Sequence, residues 1–197
     1  RRVLRPDIHV WHERKAGVAA TTRHAEKSGD ELATLRSAWT TDGDRRALFY
    51  LANGLRESQR YDEAVAAYAT YLERPNFAEE GWQARLYLAR CHAGREDWPA
   101  ARQQFEAAVA ESPERAEAAV GLGHVLLASG DPSRAAAWFR MATALPQPTH
   151  CRLFVEVPVY RWGAWHGLSL ALRALGDRDG AALAEGRAIA GGHAPAG

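Results

Sequence analysis

YDEAVAAY at Tyr61–Tyr68, WPAARQQF at Trp98–Phe105, PSRAAAWF at Pro132–Phe139 and RDGAALAE at Arg178–Glu185 decide the fold when they are aligned on one alanine each. The alanines are Ala64, Ala101, Ala135 and Ala181. Four residues after them come Tyr68, Phe105, Phe139 and Glu185, and seven after them Tyr71, Ala108, Ala142 and Ala188. Twelve before them lie Ala52, Ala89, Gly123 and Ser169, all small. Thirteen before them lie Leu51, Leu88, Leu122 and Leu168. Offsets of four and seven put residues on one face of a helix, so each block reads as the second helix of a pair. The small residues twelve earlier lie in the first helix, where they let the two helices approach closely.

The offsets resemble the tetratricopeptide repeat, whose period is about 34 residues. Here the steps between the alanines are 37, 34 and 46 residues, so two connections carry insertions. Pro113 falls where a repeat ends. Gly130 and Gly176 fall in the turn between paired helices, where a residue tolerant of positive φ is needed. The fourth block departs from the pattern, with Arg178 and Glu185 at large apolar positions, which reads as a polar capping repeat. The expected fold is all-α: a TPR-like alpha-alpha superhelix of about three to four helix pairs with a leading helix and an irregular N-terminal segment.

Outward from the repeats, DELATLRSAW at Asp30–Trp39 reads as the leading helix, with Leu32, Leu35, Ala38 and Trp39 inward. TTDGD at Thr40–Asp44 reads as a turn ending in an Asp cap. Residues 1–29 form the irregular segment, with IHVW at Ile8–Trp11 alternating as one strand would. Residues 30–190 form the repeat domain and 191–197 a flexible tail. Pro146–Arg161, containing LFVEVPVY, reads as an extended connector with Val155, Val157 and Tyr160 tucked against helices.

Composition excludes several classes. Hydrophobic residues make up 47%, charged residues 25%, and the net charge is +1, so no strong field selects nucleic acid. No apolar run reaches the length of a membrane helix. Cys91 and Cys151 form neither a disulfide framework nor a zinc pattern, and a cytoplasmic setting is expected. Two lysines among many arginines and alanines point to a GC-rich bacterial gene. The chain begins at Arg1 and its sole methionine is Met141, as in the later part of a longer protein. No Gly-x-Ser-x-Gly elbow, phosphate loop or dinucleotide fingerprint occurs, so no complete active site and no cofactor are expected. No histidine pair has helical zinc spacing, so no metal is expected either.

RALFYLANGLRESQRYDEAVAAY at Arg46–Tyr68, EEGWQARLYLAR at Glu79–Arg90 and RLFVEVPVYRW at Arg152–Trp162 together resemble the repeat tail of bacterial family 2 glycosyltransferases. The likeness spans residues 32–190. It implies an upstream GT-A catalytic domain that uses a nucleotide sugar and a divalent metal, and a non-catalytic C-terminal part that places the acceptor or dimerises. It also implies that His12 and Glu13, after IHVW, are the remnant of a donor or metal site. The family's Asp-x-Asp clamp is absent: the close aspartate pairs, Asp42/Asp44 and Asp177/Asp179, lie in turns.

Repeat geometry places Phe49, Asn53, Arg56, Arg90, His124, Leu127, His166 and Arg173 on the concave groove. Such a row suits a peptide backbone or carboxylates, although a solvated helix face of ordinary composition would carry the same residues. The expected partners are a protein or peptide, or a second copy of the chain. A free-standing TPR adaptor is the alternative to the glycosyltransferase tail.

Overall fold

The computed structural model describes residues 18–194, and every regular element among them is helical. None of these helices is long and apolar enough to cross a membrane. The described residues fall into two compact units, 18–97 and 98–194.

The first unit holds α1 (Val18–Asp42), α2 (Arg45–Glu57), α3 (Tyr61–Leu72) and α4 (Ala78–Gly94). α2 packs against α1 and α3, and α4 against α3. The Asp44 carboxylate starts α2 by accepting from the Arg46 and Ala47 amides at 2.8 and 3.2 Å, as expected of a cap. The core gathers Leu32, Leu48, Leu51, Leu55, Tyr68 and Tyr71 around the fully buried Ala52 and Ala64. α1 starts at Val18, upstream of the boundary drawn at residue 30. The added turns have no apolar stripe for a pattern search to find. Residues 1–17 and 195–197 lie outside the described residues, and with them the IHVW strand and the His12–Glu13 remnant.

The second unit holds α5 (Trp98–Glu111), α6 (Ala116–Ala128), α7 (Pro132–Thr143), a π-helical turn (Val159–Gly163), α8 (Ala164–Ala174) and α9 (Arg178–Ala190). α6 packs against α5 and α7, α7 against α8, and α8 against α9. Phe139 of α7 is fully buried and wedges between two glycines. A Cβ added to Gly123 would lie 2.7 Å from its ring, and one added to Gly167 would lie 2.3 Å away. Phe105 of α5 meets Gly121 of α6 in the same way, at 2.2 Å. These contacts are the close approach that the small residues permit. The leucines thirteen before the reference alanines are all buried, as are the small residues beside them.

The turn within each repeat has one shared backbone feature. Gln59, Glu96, Gly130 and Gly176 each lie five residues before a reference alanine and have φ of 59°, 58°, 87° and 83°. The left-handed turn is thus a property of the repeat, and only two of its four occurrences use the residue that adopts it without steric cost.

The connector differs from the expected one at its end: Val159–Arg161 belong to the π-helical turn and not to an extended strap. Its attachment is polar. Glu117, in the first turn of α6, is 1% exposed. It pairs with the buried Arg115 at 2.9 Å, accepts from the Tyr160 hydroxyl at 2.6 Å and accepts from the Glu156 amide at 3.3 Å. Arg115 also donates to the Phe154 carbonyl at 3.3 Å. In the first unit Glu80, in the first turn of α4, is buried in the same way. It accepts from the Tyr71 hydroxyl and from the Asn76 amide group at 3.1 Å.

Burial pushes the Cys91 thiol up to about 12, and the side chain is fully enclosed in the first core. The thiolate is the reactive species. Cys151 is partly exposed. A disulfide-exchange reagent at pH 8 is therefore expected to titrate one thiol in the folded chain and two in 6 M guanidinium. Two fast thiols in the folded chain would contradict the packing around Cys91.

Candidate functional site

In the first unit, α2 and α4 bring an arginine–aromatic cluster together. Tyr87 of α4 is half-buried, and the Arg56 and Arg90 guanidinium carbons lie 4.3 and 5.6 Å from its ring centroid. Both distances are within cation–π range. The Gln83 side-chain amide donates to the Tyr87 hydroxyl at 2.9 Å. The Tyr68 hydroxyl donates to Asn53 Oδ1 at 2.6 Å. Arg56 is 8% exposed and is paired with Glu57 at 3.3 Å. Arg90, half-buried, is the more accessible of the two cations.

Among the expected groove residues, Asn53, Arg56 and Arg90 thus meet around one aromatic system. Phe49 does not join them and is corrected here to a core residue. It is 4% exposed, and its ring lies 5.3 Å from that of Tyr71, because the first turns of α2 face α3.

In the second unit, His124 of α6 sits edge-on to Phe139 at 5.0 Å, and Leu127 is half-buried one turn later. His166 and Arg173 of α8 both approach Glu185 of α9. The His166 Nδ1 lies 3.4 Å from Glu185 Oε2, and the exposed Arg173 Nη2 lies 3.8 Å from it. The Ser169 hydroxyl donates to the same oxygen at 2.6 Å. His193, past the end of α9, places Nε2 3.6 Å from Glu185 Oε1. Burial, and then the neighbouring His193, push His166 below the usual histidine range, although Glu185 pulls the other way. Burial pushes Glu185 up, but the Ser169 hydroxyl and His166 outweigh it and leave the carboxyl below its usual range.

A family model described as Tetratricopeptide repeat matches residues 49–114 and 92–147. The chain belongs to the tetratricopeptide-repeat family. No curated protein matches it in sequence. Solved structures of the same fold include that of MamA, 16% identical with a TM-score of 0.68, covering 89% of this chain and 95% of that one. A MamA fragment from Desulfovibrio magneticus RS-1 is 18% identical with a TM-score of 0.67, covering 87% and 90%. YrrB, described as a TPR protein with an unusual peptide-binding site, is 16% identical with a TM-score of 0.62, covering 88% and 82%. The matches bear out the repeat, and none of these names a glycosyltransferase.

Helical register places Asn53, Arg56, Arg90, His166 and Arg173 on one groove, and the structure sets Arg56 and Arg90 at Tyr87 and His166 and Arg173 at Glu185. Sequence reasoning missed Tyr87, Ser169, Glu185 and His193 as partners of those residues. Tyr87 lies two residues before the small position at Ala89, where the repeat offsets assign no role. Glu185 stands in the slot filled by Tyr68, Phe105 and Phe139 in the other repeats, and it reads as a defect in the pattern. His193 falls within residues 191–197, read as a flexible tail. Yet its amide donates to the Ala188 carbonyl at 3.0 Å, and its ring lies 4.7 Å from that of Trp162.

Proposed function

We propose that this repeat protein is a scaffold that binds an extended, carboxylate-bearing segment of a partner protein on the α2–α4 face. The observation that carries the reading is the pair of guanidinium groups gathered on Tyr87. The guanidinium fork of Arg90, the more accessible cation, suits bidentate pairing with a carboxylate, and Arg56, 8% exposed, adds its charge across the Tyr87 ring. The half-buried ring adds apolar surface beside the charge. Peptide binding by the structural neighbour YrrB is in keeping with this use of the fold.

The test is fluorescence anisotropy with labelled ten-residue peptides of fixed hydrophobic content, one series Glu-rich and one Lys-rich. The Glu-rich series is expected to bind. Arg90→Ala is expected to weaken it about tenfold or more, the loss of one charge-assisted hydrogen-bond pair. Equal affinity for both series, or no effect of Arg90→Ala, would remove the support for this face.

The second reading, the non-catalytic tail of a family 2 glycosyltransferase, rests on the segments at 46–68, 79–90 and 152–162. In that reading the repeats place the acceptor or join two copies of the chain. Reading the gene upstream of Arg1 separates the two: the glycosyltransferase reading expects an Asp-x-Asp-bearing domain there.

A further inference from the structure

The fourth repeat breaks the family pattern in a directed way. Where the third repeat sets Phe139 against Gly123, this one sets Glu185 against Ser169, and the two are hydrogen-bonded at 2.6 Å. His166 and His193 flank that carboxylate, and ligand atoms of all three residues lie within 4.8 Å of one another. We propose that His166, Glu185 and His193 form a three-ligand site for a divalent transition-metal ion of the zinc class, with the fourth position left to water.

The distances favour an ion over direct hydrogen bonds. The two histidine–carboxylate contacts measure 3.4 Å, to Glu185 Oε2, and 3.6 Å, to Glu185 Oε1, so the histidines face different oxygens of one carboxylate, and both contacts are longer than the roughly 2.7–3.2 Å of an N–H···O bond. A tetrahedral ion with bonds of about 2.0–2.1 Å separates its ligand atoms by about 3.3–3.4 Å. The ligand atoms of the two histidines lie within 4.8 Å of each other. The His166 Nδ1 is buried and makes no hydrogen bond, a costly arrangement that a metal bond resolves. Two imidazoles and one carboxylate are a donor set that zinc accepts and that calcium and magnesium, which take all-oxygen shells, do not favour.

The surroundings hold the ligands in place. Ser169 fixes the carboxylate from behind, as outer hydrogen bonds do for metal-bound carboxylates. His193 is oriented by its backbone bond to Ala188 and by the Trp162 ring. Gly191 brings that turn against the π-helical turn so closely that a Cβ there would lie 2.0 Å from the Arg161 carbonyl oxygen. The three ligand side chains are 29%, 19% and 14% exposed, so water reaches the fourth position. Arg173 also contacts the carboxylate, at 3.8 Å, from a side chain 60% exposed to solvent. The ion would staple the turn after α9 to α8.

The test uses the full chain without a histidine tag, titrated with zinc chloride against a chromophoric chelator and with cobalt chloride by visible absorption. One ion per chain is expected, with tetrahedral cobalt bands and a rise in Tm on adding zinc. His193→Ala and Glu185→Gln are each expected to weaken binding at least tenfold and to abolish the cobalt bands. Ser169→Ala is expected to weaken it about tenfold, and His150→Ala, at an exposed histidine, to change nothing. His193 lies beyond the last helix, so far-UV circular dichroism of His193→Ala is expected to match the parent. No zinc binding by the parent, or binding unchanged in the His166→Ala/His193→Ala double variant, would overturn the site.

Discussion

Phe139→Ala is expected to lower unfolding free energy by about 3–5 kcal/mol, the range for truncating a buried aromatic ring. The ring is fully enclosed and faces a glycine on both α6 and α8. Truncation therefore leaves a cavity flanked by two residues with no side chain to fill it, and collapse would require whole helices to move. Urea denaturation followed by circular dichroism measures the effect. A loss below about 1 kcal/mol would mean that α6 and α8 close the gap freely and that the ring is not a wedge.

Glu117→Ala is expected to cost a comparable amount, about 3–5 kcal/mol, for a different reason. Arg115 is 4% exposed and Glu117 is 1% exposed, so the variant strips a buried guanidinium of its carboxylate. It also removes the acceptor that the Tyr160 hydroxyl and the Glu156 amide share. Glu117→Gln keeps an acceptor for Tyr160 and is expected to lie between the two. Limited proteolysis gives an independent readout: the connector before Val159 is expected to be cut faster in Glu117→Ala than in the parent. Equal cutting rates would show that the connector is held by its apolar contacts alone.

The two variants probe parts of the molecule that differ in how plainly the sequence announces them. The nesting of small and large residues at Ala64, Tyr68, Gly123, Ala135 and Phe139 is visible in the chain because helical period and repeat period together fix which residues face each other. The left-handed turns were visible only at Gly130 and Gly176. At Gln59 and Glu96 the same conformation is imposed by the flanking helices on residues with no preference for it. The polar clasps were not visible, since a glutamate in the first turn of a helix reads as ordinary helix-dipole chemistry. Only the fold shows that Glu80 meets Tyr71 and that Glu117 meets Tyr160.

The candidate sites divide along the same line. Arg56 and Arg90 follow from register on α2 and α4, and their meeting point on Tyr87 does not. His166, Glu185 and His193 belong to α8, α9 and the turn beyond, so no fixed spacing in one helix could join them. Phe49 shows the converse error: repeat register alone placed it in the groove, and the first turns of α2 rotate it onto Tyr71.

The nesting itself is tested most directly at Gly167, by urea denaturation of Gly167→Ala in the parent and in a Phe139→Leu background. In an unobstructed helix, glycine to alanine stabilises by about 1 kcal/mol. In the parent the new methyl would meet the Phe139 ring, so Gly167→Ala is expected to destabilise. With leucine at 139 the clash is relieved, and the same change is expected to be neutral or stabilising. A stabilising Gly167→Ala in the parent would contradict the close helix approach on which the fold rests.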